Sequence, residues 1–281
     1  MPFLRALFIP TVIVVTTGIY MLKPTQVHTP TVNETVATTT IVGFSEQQRE
    51  ISLYSFGSGQ KRILFVGGIH GGYEWNTVVL AHELINEVAS QTKRIPEGIT
   101  IDIIPNLNPD GLVRTFGTTS IDNLKPTTVT EDIKRSGRFN ANNVDLNRNF
   151  DCLWEPKSKW GNTTVNAGPS PFSESEAKAL KQYVETYKPE AVVFYHSKAN
   201  AVFGAACNGV TPQNTDKLLA LYSTASNYTS IPLFDAYTVT GDAESWLAKI
   251  GIPAITVELS SHETTDSIKN TAGLWALVEG W

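Results

Sequence analysis

The chain has 281 residues, 41% of them hydrophobic and 17% charged, with a formal net charge of −5. That much apolar material builds a sizeable core and excludes a mostly disordered chain, while the acidic balance, with no lysine or arginine cluster, excludes a duplex nucleic-acid binder. Two cysteines, Cys152 and Cys207, exclude a disulfide-dense scaffold and a multi-cysteine zinc finger but leave room for one bridge.

Residues 6–22 are uncharged and strongly apolar, with Arg5 before them and Lys23 after. Their length is near the lower limit of roughly 17–25 residues for a spanning helix. No small-x-small cleavage site follows closely, so residues 1–22 read as an uncleaved signal anchor in preference to a removed signal peptide. Residues 23–43, rich in Thr, Pro and Val, read as a linker, and 44–281 as one exported catalytic domain.

Within that domain, 61–67 is a short apolar run ending in Gly67-Gly68, which predicts a buried strand. Apolar residues at 78, 80, 81, 84, 85 and 88 predict a helix over 76–89. A second buried strand over 99–105 leads into the turn-rich Asn106-Leu107-Asn108-Pro109-Asp110-Gly111, and 115–143 reads as a loop. Ser173-Glu174-Ser175-Glu176 reads as a capping box opening a helix to about residue 187. Strands over 191–195, 201–205 and 253–259 alternate with helices over 214–227 and 265–279. Continuously apolar strands alternating with helices define an α/β domain with a largely parallel sheet covered on both faces.

In such sheets, functional groups collect at the carboxyl ends of strands. His70 and Glu74 follow the first strand, His196 ends the third, and Glu258 lies near the end of the last. His28 falls in the linker and His262 in a turn. His82 precedes Glu83, but Asn86 stands where a His-Glu-x-x-His zinc helix needs its second histidine. Singly, His70 and His196 suit a structural histidine as well as a ligand. With Glu74 they make a set suited to zinc, two neutral imidazoles and one carboxylate, leaving a fourth position for water. There is no nucleophile elbow, since Phe56-Gly57-Ser58-Gly59 is not one, and no Walker loop or Gly-x-Gly-x-x-Gly fingerprint.

Five stretches in order resemble the zinc carboxypeptidase family, the carboxypeptidase A-like metallopeptidases. They are Gly-Gly-Ile-His-Gly-Gly-Tyr-Glu at 67–74, Asn-Leu-Asn-Pro-Asp-Gly at 106–111, Asn-Val-Asp-Leu-Asn-Arg-Asn-Phe at 143–150, Tyr-His-Ser at 195–197 and Ile-Thr-Val-Glu-Leu at 255–259. The resemblance implies an eight-stranded mixed sheet with helices on both faces and one Zn²⁺ per chain, held by His70, Glu74 and His196. It implies that Glu258 takes a proton from zinc-bound water and passes it to the leaving amine, as the chemistry of such a site requires. Asn147 and Arg148 resemble the pair that binds the substrate's terminal carboxylate, a task that suits the planar guanidinium fork. Arg138 resembles the arginine that stabilises the oxyanion, and Tyr237 the mobile tyrosine that closes over substrate. Asp145 resembles the aspartate that orients the first histidine. Glu244, two residues before Trp246, falls where the family's side-chain pocket sets its preference, and an acid there attracts a basic C-terminal residue or the free amine of a diaminopimelate-type residue. The family's usual motif is His-x-x-Glu; here Tyr73 occupies that third position and Glu74 comes fourth, with the Gly-Gly corner supplying the backbone freedom to absorb one residue.

The resulting expectation is a monomeric, extracytoplasmic metallocarboxypeptidase acting on peptides, with membrane attachment through its N-terminal segment. The rival readings are a peptidoglycan stem-peptide carboxypeptidase or endopeptidase, an N-acyl amino acid deacylase, and an inactive binding module. In an exported protein, Cys152 and Cys207 pair as one disulfide.

Overall fold

The computed structural model describes residues 37–281. The expected signal anchor and most of the expected linker lie outside the described residues. Among the described residues, no helix is long and apolar enough to cross a membrane.

An eight-stranded mixed sheet is built from β1 (Thr38–Phe44), β2 (Glu50–Gly57), β3 (Lys61–Val66), β4 (Ile99–Ile104), β7 (Ala191–Ser197), β8 (Ala201–Gly204), β9 (Thr229–Ile231) and β10 (Ala254–Leu259), in the order β1-β2-β4-β3-β7-β10-β8-β9. The four central strands β4, β3, β7 and β10 are mutually parallel; β1, β2 and β8 pair antiparallel to their inner neighbours. A separate hairpin joins β5 (Lys157–Trp160) to β6 (Thr163–Asn166). The helices are α1 (Trp75–Ser90), α2 (Pro109–Phe116), α3 (Glu131–Ser136), α4 (Ser175–Tyr187), α5 (Thr215–Ser226), α6 (Ala243–Lys249) and α7 (Ser267–Gly280).

The central strands are apolar throughout because both of their faces are covered. Ile63, Phe65, Val193, Tyr195, Ile255 and Val257 face the core made with α1, α5 and α7. Leu64, Val66, Val192, Phe194 and Ala254 face the second core, made with α4 and α6. This two-residue alternation sorts every central side chain to one layer or the other.

Several expectations are corrected. β1 takes in 38–43, which composition assigned to the linker; it is an exposed edge strand, so it carries no apolar run to betray it. The segment read as a turn and loop contains α2 and α3. Asn108 caps α2 by accepting from the Gly111 N–H, Pro109 sits at its first position, and Gly117 closes it in the left-handed conformation, so Asn-Pro-Asp-Gly here starts a helix. The expected capping box does not form. Glu174 is the N-cap residue without a side-chain bond, and the Ser175 N–H is instead accepted by Glu46 Oε1 from the β1–β2 turn, at 2.7 Å.

Cys152 and Cys207 are disulfide-bonded across a sequence separation of 55. Closing a loop of that size constrains the unfolded chain by about 4 kcal/mol. Replacing both cysteines by alanine is expected to lower the unfolding free energy by about 2–4 kcal/mol, read from the denaturant midpoint at unchanged slope.

Candidate metal centre

The parallel core reverses its strand order between β3 and β7, since β4 lies to one side of β3 and β7 to the other. Such a switch point opens a crevice beyond the carboxyl ends of the strands. His70 lies just past β3 and His196 near the end of β7. Because Val192 and Phe194 face the α4/α6 layer, His196, two residues further on, faces it too. The same period carries Thr256 and Glu258 of β10 to that side, and the register pairs Glu258 directly with His196.

Glu74 arrives by a tight turn. The His70 carbonyl accepts from the N–H groups of Tyr73, at 3.0 Å, and Glu74, at 3.4 Å, while Gly72 donates to Gly137 O at 3.1 Å. A Cβ at Gly72 would lie 1.9 Å from Thr115 Oγ1, so only glycine fits between this turn and α2. The extra residue, Tyr73, packs its ring on the cavity wall against Trp160 and His262, with ring centroids 5.0 and 4.8 Å away.

The Glu74 carboxylate then sits between two imidazoles. Oε1 is 3.0 Å from His70 Nδ1, Oε2 is 3.0 Å from His196 Nδ1, and the two Nδ1 atoms are 3.2 Å apart. All three residues are buried at 3% exposure. Zinc–ligand bonds of 2.0–2.1 Å in a tetrahedron separate donor atoms by about 3.3 Å, so this converging N, N, O set fits zinc. Burial pushes the Glu74 carboxyl up, but His70 and His196 hold it well below the usual carboxylate range. Burial pushes His196 down, and the carboxylates of Glu74 and Glu244 hold it well above an ordinary histidine.

The opposite edge of the His70 ring points at Asp145, with Nε2 3.4 Å from Oδ1 and no well-formed hydrogen bond among the described residues. Asp145 is fully buried; burial raises its carboxyl, but Arg138 and His70 hold it far below the usual range. Arg138 donates from Nε to Asp145 Oδ2 at 2.8 Å, brings Nη1 to 3.7 Å from Glu74, and lies over the Trp160 ring. It is therefore no surface charge. Arg148 is also buried, its guanidinium held by the carbonyls of Lys159 and Asn147. Asn147 Oδ1 accepts from the Ala243 N–H at 2.9 Å and so seats the first turn of α6.

His70, Glu74, His196, Arg138, Asn147 and Arg148 line one cavity of about 620 Å³, together with Tyr237, Phe234, Lys198 and His262. Tyr237 stands in the loop between β9 and α6, edge-on to Phe234 at 5.0 Å. Glu258 accepts from the Ala199 N–H, and burial, with the Glu74 charge beside it, raises its carboxyl to about 7. Glu244 also lines the cavity, but its Oε1 is engaged by His196 and Thr256 instead of standing open to a substrate side chain. The acid with a free oxygen is Asp242. It is buried, Oδ2 caps α6 through the Ser245 N–H, and Oδ1 has no partner among the described residues. Sequence reading missed it because it placed no helix over 243–249 and so gave Asp242 no role. It also missed the contact between Ser197 Oγ and His262 Nδ1 at 2.7 Å, which joins two elements distant in sequence.

A mixed sheet with a buried His/Glu/His set at its switch point, and a further glutamate in register beside it, defines a zinc metallopeptidase architecture. The profile of the family described as zinc carboxypeptidase matches residues 29–273, and the chain belongs to that family. Carboxypeptidase B of Astacus astacus is 30% identical over 166 residues, which is 56% of this chain and 52% of that protein. Gamma-D-glutamyl-L-diamino acid endopeptidase 1 of Lysinibacillus sphaericus is 23% identical over 79% of this chain and 60% of its own length. The chain thus spans between half and two-thirds of the length of these curated relatives. The carboxypeptidase A of Helicoverpa armigera shares the fold, with a TM-score of 0.65 at 21% identity, over 87% of this chain and 67% of that one.

In the metal-free protein the Glu258 carboxyl takes up its proton as pH falls through about 7. A divalent cation beside it opposes the Glu74 charge, so zinc is expected to move this midpoint downward. Carbon-13 carboxyl titrations of the metal-free and zinc-loaded protein, with Glu258→Gln to assign the signal, check the direction.

Proposed function

We propose that this chain is a zinc-dependent metallocarboxypeptidase acting on peptides outside the cytoplasm. The observation that carries the reading is the pairing of Glu258 with His196 across β10 and β7, which sets a raised-pKa carboxylate beside the His70/Glu74/His196 set in one cavity. When bound there, zinc supplies Lewis acidity, lowering the pKa of water toward about 7 and polarising a carbonyl. Glu258 accepts the proton of the attacking water and delivers it to the departing amine, the work of a general base and then a general acid. Arg138, fixed by Asp145, offers its guanidinium to the developing oxyanion. Arg148, held by two backbone carbonyls, binds the substrate's terminal carboxylate together with Asn147, and Tyr237 closes over it from its loop.

Asp242 refines the substrate class. A buried carboxylate oxygen without a partner costs free energy that a cationic ligand group recovers. A C-terminal residue carrying a second ammonium, lysine or a diamino acid, provides one. This supports a second reading, the trimming of peptidoglycan stem peptides, in which the ammonium belongs to a diamino acid, the residue class named for the Lysinibacillus relative. The disulfide supports an oxidising compartment, and the apolar 6–22 segment supports membrane attachment of the domain, which on this reading begins before Thr38.

Mass spectrometry of digests tests both readings. The expected result is zinc-dependent release of single C-terminal residues, reduced about 10²–10⁴-fold in Glu258→Gln. Cleavage confined to peptidoglycan fragments selects the second reading, and no cleavage by stoichiometrically zinc-loaded protein overturns both. Asp242→Asn keeps a capping side chain for α6, yet is expected to lower kcat/KM for ammonium-bearing C-termini about 10–100-fold relative to aliphatic ones.

A further inference from the structure

Both histidines of the metal set are backed by a carboxylate, and the two carboxylates come from different parts of the fold. His70 Nε2 faces Asp145 at 3.4 Å, and His196 Nε2 faces Glu244 Oε1 at 3.1 Å. The second contact is the closer. Glu244 is buried at 3% exposure in the first turn of α6, and the same Oε1 accepts from Thr256 Oγ1 at 3.0 Å. Thr256 lies on β10 two residues before Glu258, so this carboxylate spans from α6 to both strands that carry the site.

The protonation pattern follows from the donors present. With zinc taking Nδ1 of His196 beside His70 and Glu74, the one remaining ring proton would reside on Nε2. Two groups stand near Nε2: Glu244 Oε1 and, at 3.4 Å, Asn147 Nδ2. The Asn147 amide is oriented by its own Oδ1, which accepts from Ala243 N–H, so Nδ2 presents hydrogens and cannot accept. Glu244 is left as the acceptor.

We propose that Glu244 is a positioning residue for the metal: it holds His196 in the tautomer and ring orientation that present Nδ1 to zinc, as the counterpart of Asp145 behind His70. The inference rests on the zinc metallopeptidase reading and moves Glu244 from the substrate pocket to the support of a ligand. Partners of this kind fix ligand orientation, and losing one typically costs 10–100-fold in metal affinity. Asn147 and Glu244 thereby work as a unit, since the amide that seats the α6 first turn also sets where Glu244 stands.

The test uses the full chain and zinc itself. Chelator competition is expected to show a zinc Kd raised about 10–100-fold in Glu244→Ala, with Glu244→Gln in between, because glutamine keeps an acceptor but loses the charge. Nitrogen-15 histidine spectra of zinc-loaded protein are expected to show the His196 proton on Nε2, downfield and slow to exchange, and fast-exchanging in Glu244→Ala. If Glu244→Ala fails to fold, Glu244→Gln and the spectrum of the unaltered protein decide. An unchanged zinc Kd in the variants, a His196 proton on Nδ1 in the loaded protein, or a lost preference among C-terminal residues at unchanged zinc affinity overturns the inference alone. Unaltered protein that takes up no zinc overturns the metallopeptidase reading and the inference with it.

Discussion

The Glu74 carboxylate, sealed from water between two imidazoles, is the interaction on which the rest of the centre depends. A lone buried carboxylate would cost several kcal/mol or give up its charge. Here its two oxygens each meet an imidazole nitrogen at 3.0 Å, with Arg138 Nη1 3.7 Å away. Anything that moves either histidine therefore exposes the full cost of the buried charge. Much of the surrounding polar structure accordingly braces side chains, even where it also lines the cavity. Asp145 holds Arg138 beside His70, Asn147 ties α6 to the segment after Asp145, and Gly241 closes the link. Its N–H donates to Cys152 O and its carbonyl accepts from Phe150 N–H, both at 2.8 Å.

The sheet supplies the rigidity that such bracing needs. Four parallel strands buried on both faces hold His196 and Glu258 in fixed register, and the apolar layers on either side leave little freedom for the strand ends to shift. On the proposed function, chemistry sits on these strand ends and on the turn after β3, while the groups proposed to meet substrate stand mostly on connecting segments.

His70, His196 and Glu258 were legible in the sequence because each follows or ends a continuous apolar run, where a polar side chain is conspicuous. Glu74 was legible as the nearest carboxylate, despite its displaced spacing. Asp242 and the contact between Glu244 and His196 were not, because both depend on how α6 is seated against distant β7, and pairings across such separations leave no local trace. The same reason hid the cap on α4, whose acceptor comes from Glu46 in another layer. The helix after Asn108 was misread for a different cause. Asn-Pro-Asp-Gly satisfies the rules for a turn and for a helix start equally well, and only the following residues decide between them.

The residue inserted before Glu74 has an effect beyond the turn it lengthens. Its backbone is absorbed by the His70 corner, so the carboxylate still reaches the two histidines, but its ring is carried into the cavity wall, against Trp160 and His262. One residue thereby sets both the length of the corner and the shape of the cleft wall. A search for the shorter His-x-x-Glu pattern would also pass over this chain, although its ligand set converges as a zinc site requires.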